Sequence, residues 1–239
     1  DFAARKLVFD VVVFNAGVVA REHRLSPEGY DEMLQVNFLS KVLMAKLLLG
    51  RGLVRGAEIA EAGRPPAAGP GGAAARKRGG PAAGAARLVF VSSEIHRNGA
   101  DPAFPDFMNV EPYTIASSMQ VYGYSKLLLT TFTEELARRV SCSVLALCPG
   151  AMNTNIAREA PPWTRPLLKV VFAMLFRSAQ KAAEPVLFLA ASPAFDGSTG
   201  DYLHLLERKA KDPRALDPAL GRRLWDATDD LLRPRLPAT

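Results

Sequence analysis

The chain has 239 residues, 49% of them hydrophobic and 23% charged, enough for one sizeable core and ordinary for a water-soluble globular domain. Its charge of +6 does not describe a nucleic-acid groove. The stretch from Arg55 to Arg87 holds six basic residues against two acidic ones, a surplus of +4, and only +2 is spread over the rest.

The elements follow in chain order. Phe9 to Gly17, FDVVVFNAG, is a β-branched and aromatic run ending in a turn, the pattern of a strand buried on both faces. Ser26 as N-cap, Pro27 at the first helical position and Glu28 in the first turn open a helix, with Met33, Val36, Leu39, Val42, Leu43 and Leu47 at helical spacing. Residues 55–86 form a low-complexity loop insertion, and from Arg64 to Arg87 every residue is Ala, Gly, Pro, Arg or Lys. RLVFVSS (Arg87 to Ser93) and CSVLALCPG (Cys142 to Gly150) are the second and third buried strands. A helix from Ser118 to Val140 lies between them. Helices at Pro166 to Phe176 and Gln180 to Ala191, a short strand at GDYLHL and a helix from Pro218 to Leu232 complete the chain. Helices alternating with short apolar strands imply an α/β fold with a parallel sheet. The apolar stretches at Val42 to Leu49 and Pro166 to Phe176 fall short of the ~20 residues of a spanning helix. Cys142 and Cys148 read as reduced core residues of an intracellular, cytoplasmic protein.

Tyr122 and Lys126 are four apart on one helical face. A cation within a few ångströms favours a phenolate, so the pair predicts an acidified phenol able to exchange a proton with a carbonyl or alcohol. The spacing alone is weak, because five tyrosines and nine lysines supply about 0.2 such pairs by chance. Ser92 and Ser93 end a buried strand at its carboxyl edge, where open α/β sheets bind ligands. Pro149 and Gly150 end the third strand in a turn that lets backbone approach a planar ligand. His23, His96 and His204 lack ligand spacing, and no metal site is expected.

Asn15-Ala16-Gly17, Asn37 in QVNFLS, Ser93 in VFVSSEIHR, Tyr122-x-x-x-Lys126, and Pro149-Gly150 with Thr154 occur in the order and spacing of the short-chain dehydrogenase/reductases. The chain resembles that family from about residue 8 to 232, most closely its retinol-dehydrogenase-like and WW-domain-oxidoreductase-like branch. The resemblance implies a Rossmann-type doubly wound parallel sheet and an NAD(P)-dependent oxidoreductase acting on an alcohol or carbonyl, with NADP somewhat favoured. It makes Tyr122 the general acid/base, Lys126 its pKa-lowering partner and ribose ligand, Ser93 the polarising group and Asn37 the holder of a relay water. Asn15, Ala16 and Gly17 would line the adenosine side, and Pro149, Gly150 and Thr154 the nicotinamide. It implies a substrate lid at 155–178, where Trp163, Val170 and Phe172 suit an apolar retinoid-, steroid- or lipid-like substrate.

The chain departs from the family pattern in several places. The family's Gly-rich phosphate loop is missing, and with it the first strands and helices, so 1–239 reads as a single partial domain from a longer protein. The glycines from Gly69 to Gly84 have no flanking strand and are no substitute. Phe14 stands where the family has asparagine. Peripheral membrane contact and a homodimer are both compatible with the chain. The rival reading is a catalytically idle scaffold serving as a binding module. An extended-branch epimerase would need more substrate domain than the 113 residues after Lys126.

Overall fold

The computed structural model describes residues 5, 7–57, 59, 84–150 and 179–236. β1 (Val11–Phe14), β2 (Arg87–Val91), β3 (Ser143–Cys148) and β4 (Tyr202–His204) run parallel in chain order. A short antiparallel β5 (Glu207–Arg208) closes that edge. Phe14 faces Phe90 and Val91 faces Leu147, so the first three strands end level. Asn15, Ser92 and Pro149 therefore emerge together at one carboxyl edge.

Helices cover both faces of the central strands. Leu88, Phe90, Val144 and Ala146 pack on one face against α1 (Glu32–Gly50), α2 (Ser118–Arg139) and the later α5 (Pro218–Leu232). Val89, Leu145 and Leu147 pack on the other against α3 (Ala179–Ala191). A short α4 (Pro213–Leu216) precedes α5. Stacked and edge-on rings run from Phe14 through Phe90 and Phe132 to Trp225, at centroid separations of 4.3, 6.3 and 5.5 Å. Each pair adds about 0.5–1.5 kcal/mol beyond its buried area. This column pins α2 across the sheet and so fixes the height at which its first turns meet the strand ends.

Three expectations are corrected. β1 is not buried on both faces: Val11 and Val13 are 40% and 39% exposed, because among the described residues β2 is the only strand beside it. The first helix does not start at Ser26. Gly29, at φ 83°, turns the chain there, and Asp31 caps α1 instead by accepting from the Leu34 N–H at 3.0 Å. Ser26 donates to the Gln35 side chain rather than capping. The apolar stretch is also longer than expected, since α1 has the length and composition to cross a membrane. It is a core helix here, with Met33, Leu34, Phe38, Val42 and Ala45 inaccessible to solvent. Of the insertion at 55–86, Glu58 and positions 60–83 lie outside the described residues. So do Thr154, the helix expected at Pro166 to Phe176 and the whole lid at 155–178.

Candidate active site

Two glycines let the site assemble. After β2 the chain forms a 3-10 turn, Glu94–Asn98, that lies directly on α2. A Cβ at Gly123 would sit 2.9 Å from the Ile95 carbonyl oxygen, and one at Gly99 would sit 2.9 Å from that of Gly123. No side chain fits either position without moving backbone. The close approach brings Ser93 beside Tyr122, near enough to act on its phenol. His96 steadies Ser93 from behind. It is fully buried, its Nδ1 lies 2.7 Å from the Ser93 carbonyl oxygen, and its Nε2 accepts from the Asp212 N–H at 3.1 Å. Nδ1 therefore carries the proton and donates, and burial holds the pKa below the usual histidine value.

Lys126, 2% exposed, reaches the same edge from one turn further along α2. Its Nζ donates to the Val91 carbonyl at 3.0 Å and lies 5.5 Å from the Tyr122 ring centroid. Asn37 sits in a π-helical turn, Gln35–Leu39, a local widening common at functional sites. Its Oδ1 accepts from the Val18 N–H at 2.8 Å, while Nδ2 donates to the Val18 carbonyl at 2.9 Å and to Ser125 Oγ at 3.2 Å. The side chain thereby clasps the loop after β1 against α2.

That clasp gives Gly17 its task. A Cβ there would lie 3.2 Å from Asn37 Oδ1 and 3.7 Å from Lys126 Nζ, so a side chain would fill the space in front of the amine. Asn15, Ala16 and Gly17 are exposed along the carboxyl edge. Pro149 is buried, and Gly150 turns the chain at φ 83°. Along this edge the chain offers an amine donor at Lys126, open backbone at Asn15 to Gly17 and a flat wall at Pro149. Among the described residues no glycine-rich strand-to-helix turn offers a phosphate cradle.

The electrostatics run against the expected acidification of Tyr122. The spacing predicts a phenol acidified by Lys126, yet burial pushes Tyr122 up to about 12, with the Ser93 hydrogen bond opposing the rise. The physical reason is that Lys126 is itself desolvated, which takes its amine down to about 8, and its Nζ lies 5.5 Å from the ring centroid. At neutral pH Tyr122 keeps its proton and is a donor.

Sequence reasoning also missed groups that shape the site. His96 was set aside for lacking ligand spacing, although its place three residues after Ser93 in a tight turn was a signal. Lys41, one turn beyond Asn37, is 3% exposed and donates to the same Val91 carbonyl as Lys126, at 3.4 Å. Lys41 is one of two lysines in LSKVLMAKLLL, and nothing in that sequence signals its placement.

A parallel α/β sheet with a tyrosine, a lysine and a strand-end serine converging at its carboxyl edge is the framework of a dinucleotide-binding domain. No family model matches the chain. It is 28% identical over 225 residues to Retinol dehydrogenase 14 of Homo sapiens, covering 92% of this chain and 57% of that protein. It is 28% identical over 250 residues to the WW domain-containing oxidoreductase of Danio rerio, covering 98% and 52%. A short chain dehydrogenase of Arthrobotrys oligospora is 28% identical over 232 residues, covering 92% and 64%. The chain is thus similar to short-chain dehydrogenases, among them retinol dehydrogenases and the WW domain-containing oxidoreductase. It spans little more than half the length of these relatives, 57% and 52% for the first two. Among solved structures, an uncharacterized protein from Mycobacterium Paratuberculosis shares the fold at TM-score 0.63 and 21% identity, covering 99% of this chain and 72% of that one. A 4-hydroxyisoleucine dehydrogenase complexed with NADH shares it at TM-score 0.50 and 15% identity, covering 85% and 69%.

Proposed function

We propose that the protein to which this chain belongs is a nicotinamide-dependent oxidoreductase that interconverts an alcohol and a carbonyl. The meeting of Tyr122, Ser93 and Lys126 at the carboxyl edge of three parallel strands carries this reading. A bound nicotinamide would supply or accept the hydride. Tyr122, protonated at neutral pH, gives its proton to the carbonyl oxygen as charge develops there, and in the reverse direction takes it back. Ser93, held by His96, donates to the same oxygen and orients it. Lys126 anchors the ribose and offers positive charge beside the phenolate that forms. Asn37 keeps the 15–18 loop drawn in so that Gly17 leaves the amine accessible, and Pro149 and Gly150 form the wall against the ring.

The branch resemblance favours NADP and an apolar carbonyl or alcohol. The full-length protein, supplied with NADPH or NADH and matched apolar and short polar aldehydes, should consume reduced nicotinamide fastest with NADPH and the apolar set. Nicotinamide binding without turnover of any aldehyde or alcohol would favour the idle binding module instead.

A further inference from the structure

Two lysines from different helices converge on one backbone carbonyl. Lys41 on α1 and Lys126 on α2 both donate to the oxygen of Val91, at 3.4 and 3.0 Å, and are 3% and 2% exposed. Among the described residues Lys41 has no carboxylate within ion-pair distance. The groups acting on Lys126 from the elements around it are Cys148 on β3, the Tyr122 ring on α2 itself and Lys41 on α1. Two buried ammonium ions cannot share one carbonyl without strong repulsion, so one amine must be neutral. Lys41 is that amine: burial, and then the neighbouring Lys126, take it down to about 6, whereas Lys126 stays near 8 with Lys41 holding it up.

We propose that Lys41 is a positioning residue of the site, a neutral amine that accepts a hydrogen bond from the Lys126 ammonium and, with the Val91 carbonyl, aims that ammonium at the cleft. Lys126 then has two of its three donors tied down, and the third is left for a ligand beside Gly17. Protonating Lys41 in acid removes the acceptor and sets a second positive charge against the first. No step in proton transfer to substrate passes through Lys41. Its role in turnover rests on the oxidoreductase reading; the pairing of the two amines does not.

The test follows the amine of Lys126 directly, by side-chain nitrogen NMR of lysine-labelled protein across a pH titration, in wild type, Lys41→Met and Lys41→Gln. Methionine fills the space without an acceptor, so the Lys126 midpoint should fall by about half a pH unit or more. Glutamine offers a carbonyl and should bring it back toward the wild-type midpoint. A midpoint unmoved in Lys41→Met, or one that moves equally in both variants, overturns the proposal. In the full-length enzyme, Lys41→Met should lower kcat several-fold with little change in KM, and it should erase any acid limb that wild type shows near pH 6. If no variant turns over substrate while the midpoints behave as stated, the oxidoreductase reading fails and the pairing stands.

Discussion

Replacing Lys41 by methionine should stabilise the fold, and the gain should depend on pH in a defined way. Lys41 is 3% exposed, and burial holds its amine down to about 6 in the folded chain, against the ordinary lysine value of 10.5. Between those values the unfolded chain binds a proton that the folded one does not, so wild-type stability rises with pH through that window. Below about pH 6 both states are protonated and the penalty is at its full size. At pH 7, about 3.5 pH units below the ordinary lysine value, the penalty is on the order of 5 kcal/mol. Methionine removes that penalty but also the hydrogen bonds to Val91 and Lys126, which contribute about 1–2 kcal/mol. The net gain is then about 3 kcal/mol at pH 7, shrinking by ~1.4 kcal/mol per pH unit and vanishing near pH 9. The lower Lys126 midpoint in the variant offsets about 0.7 kcal/mol of that gain near pH 7. Urea unfolding followed by far-UV circular dichroism, between about pH 6 and 9, reads this difference. Parallel stability curves for the two proteins would show that Lys41 is charged in the fold and would refute the reasoning.

Other perturbations test the scaffold. Gly123→Ala forces a Cβ to within 2.9 Å of the Ile95 carbonyl and should cost about 1–3 kcal/mol, seen as a lower Tm, together with loss of activity as Ser93 is pushed from Tyr122. Tyr113→Phe removes the donor to Asp31 Oδ2 at 2.9 Å in a buried site. It should destabilise by about 1–3 kcal/mol in chemical denaturation, since the α1 cap then keeps an unpaired oxygen. His96→Gln should weaken activity more than cofactor affinity, because Ser93 loses its backing while the cofactor edge is untouched; an equal loss of both would point to general disruption.

Much of the fold was legible because each strand and helix announces itself locally. The buried runs at β2 and β3 and the apolar spacing of α2 and α5 fall within a residue or two of their observed bounds. The first helix was misread for a local reason: Ser26-Pro27-Glu28 is an ideal start by composition, but Gly29 bends the chain, and the true cap, Asp31, is chosen by its buried bond to Tyr113, 82 residues away. β1 was judged buried from its side chains alone, whereas burial depends on which neighbours cover its faces. The site shows the same division. Tyr122, Lys126, Ser93 and Asn37 could be picked out as residue types in order, but the charge state of the phenol could not, because desolvation is a property of the whole packed site. Lys41 was invisible for the same reason, and for His96 only its nearness to Ser93 could be read. Their other partners, Val91, Lys126 and Asp212, are distant in sequence.

Turnover by full-length protein carrying Tyr122→Phe, measured beside its affinity for nicotinamide cofactor, bears most directly on the central claim. Loss of the phenolic proton should lower kcat by about 10²–10⁴-fold while cofactor affinity stays within a few-fold. A variant that still turns over within a few-fold of wild type would mean that the proton comes from elsewhere, and the site would have to be reassigned.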